Sequence, residues 1–281
     1  SLEAFDQSGD RAPSKRILIA SHLCDALNHS LDAGGAYRIA IEQILPTLHS
    51  VHLDDSERAA IECVTADAIE SMDPARAIEL YRSLLAHYGA LTSPSDRDTD
   101  EHAKAWSRLG SALDRIDGSD HFEEACNAQR RCIELARPHL ATRHTWYSAG
   151  LHNLGALLLR HADCDQRQEL LTEASQALQE ALDVKRAAGD GDHVETLKTQ
   201  HMLARALYLW GSCNKSVENL TRAEELWRSA ISSMERIGQG RTAICGVFCG
   251  GLSGLLLDQG DLDEAQALSQ RALDQLGDDP H

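Results

Sequence analysis

Along the segment GLHNLGALLLR, residues 150–160, the apolar side chains Leu151, Leu154, Leu157 and Leu158 recur at steps of three and four. That spacing lays them on one face of a helix. The same pattern returns in AWSRLGSALDRI (105–116), QHMLARALYLWG (200–211) and CGGLSGLLLDQG (249–260). Each predicts an amphipathic helix. No segment sustains a two-residue alternation of β-branched side chains, and aromatic residues make up only 4% of the chain. The fold class predicted is therefore all-α. Gly155, in the middle of the first segment, costs about 1 kcal/mol against alanine. A neighbouring helix that approaches too closely for a side chain would offset that cost.

The four segments share more than a period. Each carries an apolar residue, a small residue and, three positions on, a second apolar residue: Leu109/Gly110/Leu113, Leu154/Gly155/Leu158, Leu203/Ala204/Leu207 and Leu252/Ser253/Leu256. A second helix follows each, marked by Ala125, Ala174, Ala223 and Ala265, and DPARAIELYRSLL supplies an earlier copy with Ala77. The five alanines follow one another at 48, 49, 49 and 42 residues. The step from the small residue to the alanine is 12 in the last copy and 19 in the two before it. The extra seven residues are about two helical turns, so a helix can lengthen and keep its face.

These residues resemble the tetratricopeptide repeat, whose pattern runs W-x2-L-G-x2-Y, then A-x3-F-x2-A, then often proline. In the last copy Leu252, Ser253, Leu256, Gly260, Leu262, Ala265, Ala272 and Leu273 keep that spacing, and the second copy has Trp106 at the tryptophan position and Pro138 after its second helix. The long copies look like the kinesin light chain class, and GDHVETLKTQHMLARAL (191–207) is similar to the G-x-D-H-x-x-T-L lead into helix A of that class. The resemblance implies a right-handed superhelical solenoid of antiparallel helix pairs. It places about five repeats over residues 57–279, at roughly 57–92, 102–140, 148–190, 196–238 and 246–279, in one continuous array. Residues 1–56 read as a helical pair or a degenerate repeat capping the array. Within the pairs, helix A and helix B are expected to cross where Trp106, Leu109, Gly110, Leu154, Gly155, Leu203, Ala204, Leu252 and Ser253 meet Ala125, Ala174, Ala223 and Ala265.

The resemblance also implies a partner-binding groove lined by helix A. In this chain the groove positions hold Lys104, Arg108, Ser111 and Arg115 in the second copy, His152, Asn153 and Arg160 in the third, and Lys198, His201, Arg205 and Tyr208 in the fourth. These are basic and hydrogen-bonding residues in a chain of formal net charge −17. The expectation is a locally positive groove for an extended or helical acidic peptide, with Asn153 bonding the peptide backbone. The alternative is that they are ordinary solvated helix positions.

Charge and composition narrow the rest. With 27 basic and 44 acidic residues the chain repels nucleic-acid backbones and anionic surfaces, so nucleic acid is not an expected partner. No run of about 20 apolar residues appears and no secretory leader precedes the first helix, so no membrane insertion is expected and the chain reads as cytoplasmic. A first residue of Ser1 rather than Met suggests an excised fragment or a processed chain, which leaves a larger parent protein open. The eight cysteines lack any C-x-x-C pair and read as reduced, buried thiols.

His49 and His52 beside Asp54 and Asp55, His161 with Cys164, and Cys245 with Cys249 are the only candidate metal clusters; each reads better as a loop or core feature. Of these, His49 to Asp55 is expected to be a loop whose aspartate or Ser56 caps the next helix. GQGRTA (238–243) lacks the GK[ST] ending of a phosphate loop, and no catalytic motif is present, so no cofactor, metal or enzyme activity is expected. GALTSPSDRDTDEH (89–102) is the clearest loop, and Gly34 and Gly35 separate two N-terminal helices. Two function classes remain: a protein-interaction scaffold or adaptor, and a self-associating or ligand-sensing repeat domain. Leu256, Leu257 and Leu262 at the array end, if uncovered, would favour self-association or a missing neighbour.

Overall fold

The computed structural model describes residues 12–30, 32–48, 50–92, 95–116, 119–142, 144–162 and 167–277. Among these there is no strand, as the absence of period-two patterning predicts. The chain forms two compact units, residues 1–138 and 139–281.

The first unit contains α1 (Ala12–His29), α2 (Ala33–Ile39), α3 (Asp55–Ile69), α4 (Pro74–Ala90), α5 (Asp96–Arg115) and α6 (Phe122–Ala136). Helix α2 runs on into one π-helical turn at Ala40–Ile44, and a 3-10 turn at Ser119–His121 leads into α6. Helix α1 packs on α2 and α3, α3 pairs with α4, and α5 pairs with α6. Asp54 caps α3 through a reciprocal box with Glu57, Asp73 caps α4 ahead of Pro74, and Ser95 caps α5 in a box with Asp98. Each side chain satisfies amide donors that the first helical turn leaves open.

Two expectations change here. The loop expected over residues 89–102 is shorter, because the capping box starts α5 at Asp96 and its acidic first turn suits a helix N-terminus. Gly34 and Gly35 do not separate helices; they form the first turn of α2, where the Gly35 amide donates to Asp32 at 2.9 Å.

The second unit contains α7 (Thr145–Arg160), α8 (Arg167–Ala187), α9 (Val194–Asn214), α10 (Val217–Arg236), α11 (Ala243–Gln259) and α12 (Leu262–Gly277). They form the pairs α7/α8, α9/α10 and α11/α12, and each second helix of a pair packs on the first helix of the next, α8 on α9 and α10 on α11. The first helices also touch one another, α7 with α9 and α9 with α11. Residues 238–242 are the turn between α10 and α11, with Gly238 at φ 76° and Thr242 capping α11.

The core follows the repeated apolar and small positions. Leu109, Leu154, Leu203 and Leu252 are buried, and so are Ala125, Ala174, Ala223 and Ala265. A Cβ on Gly155 would sit 2.5 Å from Leu178 Cγ, and one on Gly110 would sit 2.5 Å from Gln129 Nε2 and 3.1 Å from the Ala125 carbonyl. At both glycines the second helix of the pair occupies the space a side chain would take. Ala204 fits the same crossing, and Ser253 uses its small size differently: its hydroxyl donates to the Ala265 carbonyl at 2.8 Å. Trp106 is only half-buried, its indole N–H donating to His102 Nε2 at 3.1 Å.

Candidate functional site

In the first unit the residues expected to line a groove face their own fold. Lys104 Nζ is 2.9 Å from Asp67 Oδ2 and donates to Cys63 Sγ at 3.2 Å. Arg108 reaches Asp67 at 3.5 Å and Glu70 at 3.8 Å, and Arg115 reaches Glu70 at 3.4 Å. The Tyr81 hydroxyl of α4 lies 2.8 Å from Asp67 Oδ1 and 3.0 Å from Glu70 Oε2. Three helices thus share one polar network. Burial raises the Glu70 carboxyl above the usual range, against the pull of Arg108 and the Tyr81 hydroxyl. Burial works against the Lys104 ammonium too, but Asp67 and Cys63 more than offset it and raise its pKa. Burial also lifts the Cys63 thiol to about 11. Ser111 turns its hydroxyl back to the Ser107 carbonyl at 3.2 Å. The positive charge of this helix is matched by carboxylates of α3, so an acidic ligand would have to compete with them.

In the second unit, α7 and α9 carry the remaining expected positions. His152 Nδ1 lies 3.0 Å from Thr199 Oγ1, which in turn accepts from Lys185 Nζ at 2.8 Å. Burial, reinforced by Lys185, pushes the His152 pKa down to about 4. Asn153 is half-buried and Arg160 exposed, and both interact with other groups of the chain. Lys198 pairs with Glu195 one turn back at 2.7 Å. His201 is a core residue: it is 9% exposed, Nδ1 accepts from the Trp227 indole N–H at 2.9 Å, and the ring stacks on Phe248 with centroids 4.9 Å apart. Its groove-lining role is therefore corrected, because α10 and α11 close over the face that helical spacing alone would leave open. Burial and then Arg205 lower its pKa to about 4, which fits the neutral ring the indole bond requires. Tyr208 donates to Asp258 Oδ2 of α11 at 2.6 Å.

Arg205 stands between those two anchor points. His201, Arg205 and Tyr208 follow at four and three residues on one face of α9, and the outer two touch Phe248 and Asp258 of α11. Arg205 is exposed and makes no ion pair among the described residues. The face of α11 at the equivalent repeat positions carries exposed Val247, Gly250 and Leu257 and half-exposed Gly254. A Cβ added to Gly250 or Gly254 meets no atom within 4 Å. One wall therefore joins an exposed cation to an apolar strip in which two glycines, Gly250 and Gly254, leave open space between Val247 and Leu257.

The other candidate chemistry resolves into structure. Asp54 does cap α3, while His49 and Cys164 lie outside the described residues. Cys245 and Cys249 are fully buried, with Arg271 donating to Cys245 Sγ at 3.6 Å. A hydrogen bond with Cys249 and the Arg271 charge lower the Cys245 pKa, against the opposing effect of burial. Among the described residues no group of three or more His, Cys, Asp and Glu side chains could hold a metal ion, and no helix is long and apolar enough to cross a membrane. A cleft of about 950 Å³ between the α10–α11 turn and α12 has Arg271 in its wall, held by Glu235 at 2.8 Å and the Gly240 carbonyl at 3.0 Å.

Sequence reasoning missed Asp67, Glu70, Tyr81 and Trp227. Trp227 was within reach, since it stands four residues after Ala223, at the aromatic position of the A-x3-F pattern. The carboxylates gave no such signal, being placed opposite α5 only by the fold.

The tetratricopeptide repeat family model matches residues 156–229. No curated protein matches the sequence. Among solved structures, a Podosopora anserina protein of nearly identical TPR-like repeats, described as a kinesin light chain, is 16% identical with a TM-score of 0.62, covering 80% of this chain and 97% of its own. BtubC (BKLC) from P. vanneervenii is 18% identical with a TM-score of 0.59 and covers 97% of this chain and 95% of its own. A signal transduction ATPase with a tetratricopeptide repeat sensor from Pyrococcus horikoshii is 12% identical with a TM-score of 0.65, over 98% of this chain and 38% of its own. The chain has the helical-repeat fold of tetratricopeptide proteins, and the resemblance to kinesin light chain repeats holds at the level of fold.

Proposed function

We propose that this chain is a protein-interaction scaffold, and that the α7, α9 and α11 wall of its second unit binds a peptide carrying both acidic and large apolar side chains. Tetratricopeptide repeats generally mediate contacts between proteins, and the family model falls within the second unit, from the end of α7 into α10. The observation that carries the reading is Arg205, exposed and without an ion pair among the described residues, beside the open strip of Val247, Gly250, Gly254 and Leu257. A carboxylate would meet the guanidinium, and an apolar side chain would bury against the bare α11 backbone. The basic residues of α5 stand in a different relation to a ligand, since α3 already neutralises them. The seven described cysteines are all free thiols, which supports a cytoplasmic setting. The five helix pairs are proposed to act as one array, as the spacing of their alanines suggests, with α1 and α2 as its cap.

Selection of random peptides displayed on phage against the immobilised chain tests this. The expected result is enrichment of sequences that combine aspartate or glutamate with leucine or an aromatic residue. Arg205→Glu should remove the acidic preference and Gly254→Gln the apolar one. Selection of basic peptides, or an unchanged preference in both variants, would refute the reading.

A further inference from the structure

The second helices of successive pairs are tied together by an ion pair that recurs at fixed register. Arg82 stands five residues after Ala77 on α4 and meets Glu124, one residue before Ala125 on α6, at 2.7 Å. Arg228 stands five residues after Ala223 on α10 and holds Glu264, one residue before Ala265 on α12, through both terminal nitrogens at 2.6 and 2.8 Å. Between α8 and α10 the same two positions carry Gln179 and Arg222, a combination that forms no ion pair. Gln179 turns instead to Asp183 of its own helix at 2.9 Å, and Arg222 to Glu225 of its own at 3.4 Å. The strut is missing at this junction.

In its place a cleft of about 510 Å³ has Gln179 and Arg222 in its walls. The floor is apolar, made by Leu203 and Leu207 of α9 and Val184 of α8. The α8 lip carries two exposed carboxylates, Glu180 and Asp183. Each has a neutral hydrogen-bond partner: the Tyr147 hydroxyl donates to Glu180, and the Gln179 amide to Asp183. Such bonds leave the carboxylate charge in place, and neither group makes an ion pair among the described residues. On the opposite lip the Arg222 guanidinium is already matched by Glu225. The cleft lies between two complete helix pairs, α7/α8 and α9/α10, so neither end of the sequence leaves it open.

We infer that this cleft binds a small amphipathic amine, a molecule with one ammonium group and an apolar body the size of a phenylalkyl group. The ammonium meets Asp183 and Glu180, and the body covers Leu203, Leu207 and Val184. Small-molecule sites run from ~300 to 1,000 Å³ and pair a mainly apolar lining with a few placed polar groups, as this cleft does. An anionic head would be repelled by the α8 lip, and an uncharged one would gain nothing from its charge. The occupied cleft joins α8 to α10 as the ion pair does elsewhere, so the ligand also stabilises the fold by mass action. The site uses Leu203 and Leu207 of α9 rather than Arg205, so it stands apart from the proposed peptide wall.

Titration of the isotope-labelled 281-residue chain with phenylbutylamine, read by amide NMR shifts, tests this. The expected result is a saturable shift of the amides around Val184, Leu203 and Leu207. Phenylbutanol keeps the apolar body without the charge and should bind about tenfold more weakly, and phenylbutyrate should not bind. Asp183→Asn and Glu180→Gln should each weaken the amine about threefold, the scale of a partly exposed ion pair. Gln179→Arg/Arg222→Glu installs the ion pair found at the two other junctions and should abolish binding; a thermal midpoint no lower than that of the native chain shows that it folds. Amine and alcohol of equal affinity would overturn the proposal, since the cleft would then be an apolar crevice only. So would the absence of saturable shifts, shifts away from the cleft, or undiminished binding by the Gln179→Arg/Arg222→Glu chain.

Discussion

Gly155→Ala and Gly250→Ala make the same chemical change in the middle of two helices of the same unit, and the structure assigns them opposite signs. At either position alanine gains about 1 kcal/mol of helix propensity. At Gly250 nothing opposes this, since the added Cβ meets no atom within 4 Å. At Gly155 the Cβ would lie 2.5 Å from Leu178 Cγ and 3.0 Å from both its methyl carbons, where carbon atoms prefer about 3.5–4.0 Å. Leu178 is fully buried beside Ala174, Ala177 and Ala181, and the closest atom is its branch point rather than a mobile tip. Overpacking of this kind costs about 1–3 kcal/mol. Taking the upper part of that range and subtracting the propensity gain leaves Gly155→Ala about 1–2 kcal/mol less stable than the native chain.

Urea denaturation followed by circular dichroism, with midpoint and slope fitted together, reads both changes. Gly250→Ala is expected to raise the midpoint and Gly155→Ala to lower it, at unchanged slope. The pair of substitutions also carries an internal control. Leu178→Ala alone should cost about 2–5 kcal/mol, and on that background Gly155→Ala should turn stabilising, because the obstructing branch is gone. A stabilising Gly155→Ala in the native background would refute the close crossing of α7 and α8.

Further outcomes follow from the buried polar groups. The His152 and His201 rings are held neutral in the fold with pKa values of about 4, against 6.5 when exposed. Their stabilising effect is therefore present above pH 6.5 and lost as the pH falls toward 4, because the unfolded chain takes up protons that the folded chain excludes. The slope is up to about 1.4 kcal/mol per pH unit for each ring, and His201→Gln should remove one such contribution from urea titrations run between pH 7 and 4.5. In the first unit, Glu70→Ala should cost about 1–3 kcal/mol in thermal or urea unfolding, since Arg108 and Arg115 lose an ion-pair partner and Tyr81 loses an acceptor. Glu70→Gln keeps an oxygen for Tyr81 and should cost less; equal losses would mean that the charge, not the hydrogen bond, holds the network.

The helices were legible in the sequence because their signals are local. A leucine and a small residue at fixed spacing determine both the buried face of α7 and its crossing with α8, and Asp54 announces α3 through Glu57 three residues on. The start of α5 was harder, because SPSDRDTDEH has the composition of a loop; only the reciprocal bonds of Ser95 and Asp98 make its first turn helical. The candidate wall was less legible still. Helical spacing put His201 and Arg205 on one face of α9, but whether that face meets water depends on Trp227 and Phe248, which come from two other helices. The lysine and arginines of α5 read as a basic patch for the same reason: Asp67 and Glu70, which neutralise them, belong to a helix far away in sequence.

His201 has a bearing on how the second unit comes apart. Stacked helix pairs that touch only their neighbours can peel from an end, one pair at a time, with each loss leaving the rest almost undisturbed. Here a single imidazole accepts a hydrogen bond from α10 and stacks on α11 while anchored in α9. Detaching the last pair strips the Phe248 face from that ring and admits water to its bond with Trp227. The penalty of fraying at α11 is thus felt two helices back, which ties α9, α10 and α11 into one cooperative block and raises the barrier to opening from the C-terminal side.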